Sequence, residues 1–196
     1  MKEAVIVILN YNGEGMLRQF LPSVLTNSFF DVIVADNHST DGSVKLMKSH
    51  FSSVPLILLS QNYGYSEGYN KALGKLEGQY RYYILLNSDV EVSSGWDKAL
   101  VQWLDCHEDY ASVQPKILSQ QDKLLFDYAG AGGGYIDRLG YPYCRGGYWI
   151  RWNRTGASMM MKCKWTGLQE PALPHDRLFF TKWEVLRQIF LPIWRK

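Results

Sequence analysis

The chain has 196 residues, 46% of them hydrophobic and 20% charged, which indicates a soluble globular domain long enough to bury a substantial core. The net charge of +2 is too small to indicate nucleic-acid binding. Three widely spaced cysteines argue against a disulfide framework or a zinc site, and no apolar run is long enough to span a bilayer. Because no signal peptide precedes the first strand, we expect a cytoplasmic protein, with peripheral contact at the inner face of the membrane left open.

Short apolar runs alternate with amphipathic segments through the first two thirds of the chain. The runs predict strands at 4–9, 31–35, 55–59, 81–86 and 111–117, and the segments between them predict helices at 14–26, 42–50, 66–76 and 94–107. Strand–helix–strand units of this kind produce parallel strands with right-handed crossovers. The order therefore predicts an α/β fold with helices on both faces of a mostly parallel sheet.

Polar residues and glycines follow each of the first four predicted strands. The carboxyl ends of parallel strands meet at one edge of a sheet, where such folds bind ligands. One polar strand end is an ordinary turn, whereas four in succession favour a binding site. We call this set the polar rim: Asn10, Asn12, Asp36, Asn37, Asn62, Gly64, Gly68, Asn70, Asn87, Asp89 and Glu91.

The side chains of the polar rim suit a nucleotide diphosphate. Amides donate and accept hydrogen bonds, as the edge of a nucleobase requires, and Asp36 is placed to accept from a base N–H or a ribose hydroxyl. Gly64 and Gly68 let the backbone approach a ligand closely. Asp89 and Glu91 are hard oxygen ligands for Mg²⁺ or Mn²⁺. We therefore predict a divalent metal at Asp89 and Glu91.

Two common nucleotide-binding motifs are absent from the sequence. The first strand is followed by Asn10-Tyr11-Asn12-Gly13 rather than the G-x-G-x-x-G of dinucleotide-binding folds, and no G-x-x-x-x-G-K-[ST] is present. The loop after the second strand also contains Ser39, Thr40 and Asp41, one of which we expect to cap the following helix.

Four segments together resemble the inverting family-two glycosyltransferases of GT-A fold, in particular the rhamnosyltransferase-like branch. They are V-I-L-N-Y-N-G, V-A-D-N-H-S-T-D-G-S, Q-N-Y-G-Y-S-E-G-Y-N and L-L-N-S-D-V-E, and the resemblance covers about residues 4–146. It implies a Rossmann-like GT-A sandwich over residues 1–146, incomplete at its C-terminus. The third segment would help to hold the nucleotide-sugar, and Asp36 would contact the base. Asp89 would bind the metal, with Asn87 replacing the first carboxylate of the family's D-x-D.

The resemblance also implies a reaction. An acceptor hydroxyl attacks the anomeric carbon of a dTDP- or UDP-linked sugar with inversion, the metal stabilises the departing diphosphate, and a carboxylate base takes the hydroxyl proton. The acceptor would be a glycan or a lipid-linked molecule, in cell-surface polysaccharide synthesis. The family's acidic segment, roughly F-F-A-H-M-E-E-I-D, is missing here, so no catalytic base is assigned. Asp127 and Asp137 are weak candidate substitutes, and we expect glycine-rich residues 130–134 to form a flexible loop near the acceptor.

Residues 147–196 lack the periodicity of the preceding chain, and 147–166 contain no acidic residue. We also considered translation in a shifted reading frame, in which each new codon consists of the last base of one codon and the first two bases of the next. In that frame, the codons of Met159-Met160-Met161-Lys162 can encode only Asp-Asp-Glu. With free synonymous codons, 182–196 can read V-G-G-F-E-A-D-F-F-A-H-M-E-E. We therefore expect a frameshift near 145–148, with 147–196 out of frame and poorly packed. Two alternatives to an active transferase remain: a non-catalytic nucleotide-sugar-binding remnant, and a small α/β module whose polar rim binds a protein.

Overall fold

The computed structural model describes residues 1–108, 110, 112–113, 115, 118–121, 132–136, 142–145 and 178–182. Two compact units divide the chain: Met1–Ser112 with Arg177–Lys196, and Val113–Asp176. The first unit contains the polar rim. In the second unit, strands β6 (Gly132–Ile136) and β7 (Pro142–Arg145) pair antiparallel.

The strands that carry the polar rim belong to a six-stranded sheet. Its strands are β1 (Lys2–Asn10), β2 (Asp31–Asp36), β3 (Leu56–Leu58), β4 (Tyr80–Asn87), β5 (Ser112–Val113) and β8 (Leu178–Lys182), in the order β3-β2-β1-β4-β8-β5. β1 pairs parallel with β2 and β4, and β2 pairs parallel with β3. β8 pairs antiparallel with β4. The predicted mostly parallel α/β sheet is confirmed.

Three helices connect the parallel strands: α1 (Glu14–Asn27), α2 (Ser43–His50) and α3 (Gly64–Gly74). Helix α4 (Trp96–Asp105) follows β4. The apolar positions of α1 bury Leu17, Phe20, Leu21 and Val24, as the helical spacing predicts. On the opposite face of the sheet, Tyr69, Ala72 and Leu73 of α3 join Val5 and Val7 of β1 in a buried cluster. β1 is buried from Ala4 to Ile8, so the polar residues at its end are held on a rigid strand.

Several boundaries differ from the sequence-based predictions. α3 begins at Gly64 rather than Ser66, because the side chains of Asn37 and Asn62 bind the backbone at its start. Of the strand predicted over 111–117, Ser112–Val113 form β5, while residues 111, 114, 116 and 117 lie outside the described residues. The prediction of a loop over 130–134 is wrong for Gly132–Gly134, which belong to strand β6. The glycines are accommodated in the strand because β6 pairs with β7 and the pairing register shifts between Gly132 and Gly134.

Within the described residues, no helix has the length and apolar character that crossing a bilayer requires.

Candidate functional site

The ends of β1 and β2 are joined by buried side chains. The Nδ2 of Asn10 donates to the Oδ2 of Asp36 at 3.1 Å and to the Oγ of Ser39 at 3.2 Å. The Oδ1 of Asp36 accepts from the backbone N–H of Ser39 at 2.9 Å. Asn10 is fully buried and Asp36 nearly so. These two predicted ligand residues therefore hold the first two loops of the polar rim together.

The residues that follow make a second set of contacts between the same loops. The backbone N–H of Asn12 donates to the Oγ of Ser39 at 2.9 Å, and the Oδ1 of Asn12 accepts from the N–H of Thr40 at 2.8 Å. Asn12 and His38 both have left-handed backbone conformations, with φ of 50° and 66°. Asn and His adopt this conformation more readily than most residues. Strained backbone of this kind is often found at functional sites.

The loop after β2 is tied to the loop after β3 by Asn37. Its Nδ2 donates to the Oδ1 of Asn62 at 3.0 Å and to the carbonyl of Gly64 at 2.8 Å, and its Oδ1 accepts from the N–H of Tyr63 at 3.0 Å. The Oδ1 of Asn62 also accepts from the N–H of Gly64 at 2.8 Å. Asn37 is buried, so these bonds are shielded from water.

The loop after β4 lies beside the loop after β1. A Cβ added to Gly13 would lie 2.4 Å from the Oδ1 of Asn10 and 3.5 Å from the Oγ of Ser88. That Asn10 Oδ1 is buried and has no hydrogen-bond partner among the described residues. The hydroxyl of Tyr69 on α3 donates to the carbonyl of Leu86 at 3.0 Å. The prediction that four strand-end loops share one edge is therefore confirmed.

Asp89 is half-buried at this edge, and its negative charge interacts electrostatically with the hydroxyl of Tyr69. Burial, with contributions from Tyr65 and Asp89, raises the pKa of the Tyr69 hydroxyl well above its usual value. Tyr69 therefore stays neutral and keeps its proton for the bond to Leu86. Glu91 is exposed, while Asn70 and Asn87 are half-buried.

Two glycines of the polar rim differ in what surrounds them. Gly64 has φ of 72°, so a side chain there would be strained although nothing lies within 4 Å of its Cβ position. A Cβ on Gly68 would lie 3.0 Å from the Nδ2 of Asn37 and 3.1 Å from a methyl group of Leu9. Gly68 therefore permits α3 to pack directly on the ends of β1 and β2.

Asp41 was one of three candidates to cap α2, and its carboxylate binds backbone N–H groups at the starts of both α1 and α2. Its Oδ2 accepts from the N–H of Glu14 at the start of α1, at 3.0 Å, and its Oδ1 accepts from the N–H of Ser43 at the start of α2, at 2.9 Å. Burial opposes ionisation, but the hydrogen bonds from Ser43 and Glu14 outweigh it and lower the pKa of Asp41. The ionised carboxylate fixes the two helices that follow the first two loops.

Asp97 is a residue that the sequence analysis did not single out. It is fully buried near the start of α4, and its Oδ2 accepts from the N–H groups of Phe29 at 2.6 Å and Phe30 at 3.0 Å. The Nε1 of Trp96 donates to the Oγ of Ser28 at 3.1 Å. The segment that carries Asp89 and Glu91 therefore ends at a fixed anchor. In the sequence, Asp97 looks like any acidic residue in a first helical turn.

The carboxylates of Asp89 and Glu91 are predicted to bind a metal together with the phosphates of a substrate. Among the residues described, no three His, Cys, Asp or Glu side chains cluster as a metal site. Mg²⁺ commonly binds through one or two carboxylates together with substrate phosphates, and does not require a cage made only of protein. Asp89 and Glu91 are carboxylates of the kind that such a site uses, and the metal site at these two residues stays a prediction.

The sequence of the chain matches the family described as Glycosyl transferase family 2 over residues 5–163. The chain belongs to this family. The match extends over most of the chain and includes the whole polar rim. A comparison with curated proteins found no significant match.

One solved structure shows the same fold, and a second has a lower similarity. A mannosyltransferase from Pyrobaculum calidifontis, solved with GDP-Man and Mn²⁺, is 15% identical with a TM-score of 0.56, covering 95% of this chain and 46% of its own. S. aureus TarS 1–349, solved with UDP-GlcNAc, is 20% identical with a TM-score of 0.47, covering 60% of this chain and 38% of its own. This chain thus spans less than half the length of either protein. The predicted GT-A fold is confirmed.

Proposed function

We propose that the chain binds a nucleotide-diphosphate sugar at the polar rim and derives from an enzyme that transfers the sugar to an acceptor hydroxyl with inversion. The observation that carries the proposal is the meeting of four strand-end loops around Asn10, Asn37 and Ser88, beside the half-buried Asp89, in a family-two glycosyltransferase. Nucleotide-sugars and Mn²⁺ in the solved mannosyltransferase agree with this chemistry.

The proposal divides the polar rim into two kinds of residue. Asp89 and Glu91 hold a divalent metal, Mg²⁺ or Mn²⁺, which when bound stabilises negative charge on the leaving diphosphate. Asn12, Gly64, Gly68, Asn70 and Asn87 face or flank the nucleotide-sugar. Asp36, with its buried oxygens already bonded to Asn10 and Ser39, has a lone pair left for a base N–H and otherwise fixes the loops.

A complete reaction requires a base that takes the proton of the acceptor hydroxyl. The carboxylate segment that supplies it in the family is missing from the sequence, and Asp127 and Asp137 lie outside the described residues. Removal of such a base typically lowers the rate by about 10²–10⁴-fold. We therefore propose that this chain retains donor binding and has lost most of its transfer activity.

The finer assignment is also a proposal. The four sequence segments favour the rhamnosyltransferase-like branch, with a dTDP-linked donor, a glycan or lipid-linked acceptor and a role in cell-surface polysaccharide synthesis at the inner face of the membrane. The forced Asp-Asp-Glu reading of 159–162 supports a frameshift near residues 145–148. Sequencing the encoding DNA tests this directly, because an alternate frame without F-F-A-H-M-E-E would contradict it.

Calorimetric titration of the full chain with UDP, dTDP and GDP, with and without Mn²⁺, tests the proposed binding. The proposal predicts saturable binding of at least one nucleotide that requires the metal. Absence of metal-dependent binding to all three would contradict it and favour the α/β interaction module. A donor-hydrolysis assay then separates an active transferase from a binding remnant, for which no turnover is expected.

A further inference from the structure

The side chain of Asn37 connects separate loops of the polar rim. Its amide binds Asn62, Tyr63 and Gly64 through three hydrogen bonds of 2.8–3.0 Å. Its backbone N–H donates to the carbonyl of Asn10 at 2.8 Å. One buried residue at the end of β2 thus reaches both the end of β1 and the start of α3.

The start of α3 is held by side chains that lie outside the helix, those of Asn37 and Asn62. Its N-cap residue, Tyr63, makes no capping bond with its own side chain, and Gly64 has a left-handed backbone. The bond from Tyr63 N–H to the Oδ1 of Asn37 satisfies one of the backbone donors that a helix start leaves unpaired. β3 offers little further support, because it has only three residues and lies at the edge of the sheet.

The contact with Gly68 independently shows how closely α3 depends on Asn37. The Cβ position of Gly68 lies 3.0 Å from the Nδ2 of Asn37, so α3 packs against this amide as well as bonding to it. Gly74, on the same helix, has nothing within 4 Å of its Cβ position. The close approach is therefore particular to the part of α3 that borders the polar rim.

We propose that Asn37 is a positioning residue that holds the start of α3, residues 62–68, in the geometry that the nucleotide donor requires, without contacting the donor itself. This inference rests on the proposed function for its consequence for binding. Both N–H donors of the Asn37 amide are engaged and the residue is buried, so it has no free N–H to offer a ligand.

Asn37→Asp tests the inference because it keeps the shape and the acceptor but removes both donors. The new carboxylate would face the carbonyl-type oxygens of Asn62 and Gly64, which repel it. Asn27→Asp is the matched control, since among the described residues the Nδ2 of Asn27 donates to the carbonyl of Ser23 within α1, at 2.9 Å, and to no other loop. Amide hydrogen exchange at Tyr63 and Gly64 and nucleotide affinity with Mn²⁺ are measured in both variants.

We expect Asn37→Asp to accelerate exchange at Tyr63 and Gly64 and to weaken nucleotide binding by about tenfold or more, while Asn27→Asp changes neither. Faster exchange with unchanged affinity would overturn the positioning role, and unchanged exchange would overturn the loop contact itself. If the wild-type chain binds UDP, dTDP and GDP no better with Mn²⁺ than without, the proposed function fails, and exchange alone then decides whether Asn37 holds the loop.

A second pair of variants covers the case in which Asn37→Asp does not fold. Gly68→Ala pushes a methyl group against the amide of Asn37, whereas Gly74→Ala adds the same group where there is space. The inference predicts that Gly68→Ala alone speeds exchange at Tyr63 and Gly64, and this readout is independent of any direct contact between Gly68 and the donor. Equal behaviour of the two alanine variants would contradict it.

Discussion

At the scale of single residues, several amides and one carboxylate of the polar rim form hydrogen bonds with neighbouring loops. The sequence identified Asn10, Asp36, Asn37 and Asn62 as ligand candidates because they follow strands. The structure shows these side chains in hydrogen bonds that connect separate loops. Such partners are up to 29 residues apart in the chain, and local patterns carry no information about pairing at that distance.

Gly13→Ala is expected to destabilise the protein by about 1–3 kcal/mol, because overpacking at a buried site has an effect of this size. The new methyl group would meet the Oδ1 of Asn10 at 2.4 Å and displace an amide that is fixed by Asp36 and Ser39. Gly15→Ala, where nothing lies within 4 Å, is the control and should raise stability slightly. Thermal unfolding of the two variants checks this; similar melting temperatures would contradict the packing.

Asp41→Asn should lower stability at neutral pH and matter less in acid. The folded protein lowers the pKa of Asp41, so its stabilising contribution is present above the usual value of about 3.9 and is lost as pH falls through the folded value. The difference in melting temperature between wild type and variant should therefore shrink below about pH 4. A difference independent of pH between 7 and 3 would show that the charge of Asp41 plays no part.

At the scale of elements, the helices and parallel strands follow from patterns that sequence reveals, whereas their ends do not. β1 and β4 are continuous apolar runs, and α1 has clear helical spacing, so all three were predicted within a few residues. The start of α3 and the anchor of α4 depend on side chains from other loops, Asn37 and Ser28, and local periodicity could not predict them.

Asp97→Ala should destabilise the protein by about 2–3 kcal/mol, because it leaves the N–H groups of Phe29 and Phe30 without their buried acceptor. Asp97→Asn keeps one acceptor oxygen and should have a smaller effect. Chemical denaturation of both variants measures the difference. Equal stability of wild type and Asp97→Ala would mean that α4 is held by other contacts.

At the scale of the whole molecule, the sheet brings the four loops that follow β1, β2, β3 and β4 to one edge. The meeting of these loops is the feature that the sequence predicted best. Parallel topology alone determines that the four loops meet. β8, at Leu178–Lys182, lies in the segment for which we propose a shifted reading frame, and it pairs with β4. Its place in the sheet was not predicted, because residues 147–196 lack a pattern that assigns strands.

The most direct test of the account is metal-dependent nucleotide binding by Asp89→Asn and by the control Asp105→Asn. Asp105 lies near the start of β4, the end opposite Asp89, where it accepts from Tyr82 at 2.6 Å and pairs with Arg81 at 2.9 Å. We predict that Asp89→Asn abolishes the increase in affinity that Mn²⁺ gives, while Asp105→Asn retains it. Undiminished Mn²⁺-dependent binding in Asp89→Asn would contradict the account and make Asn87-Ser88-Asp89 an ordinary turn.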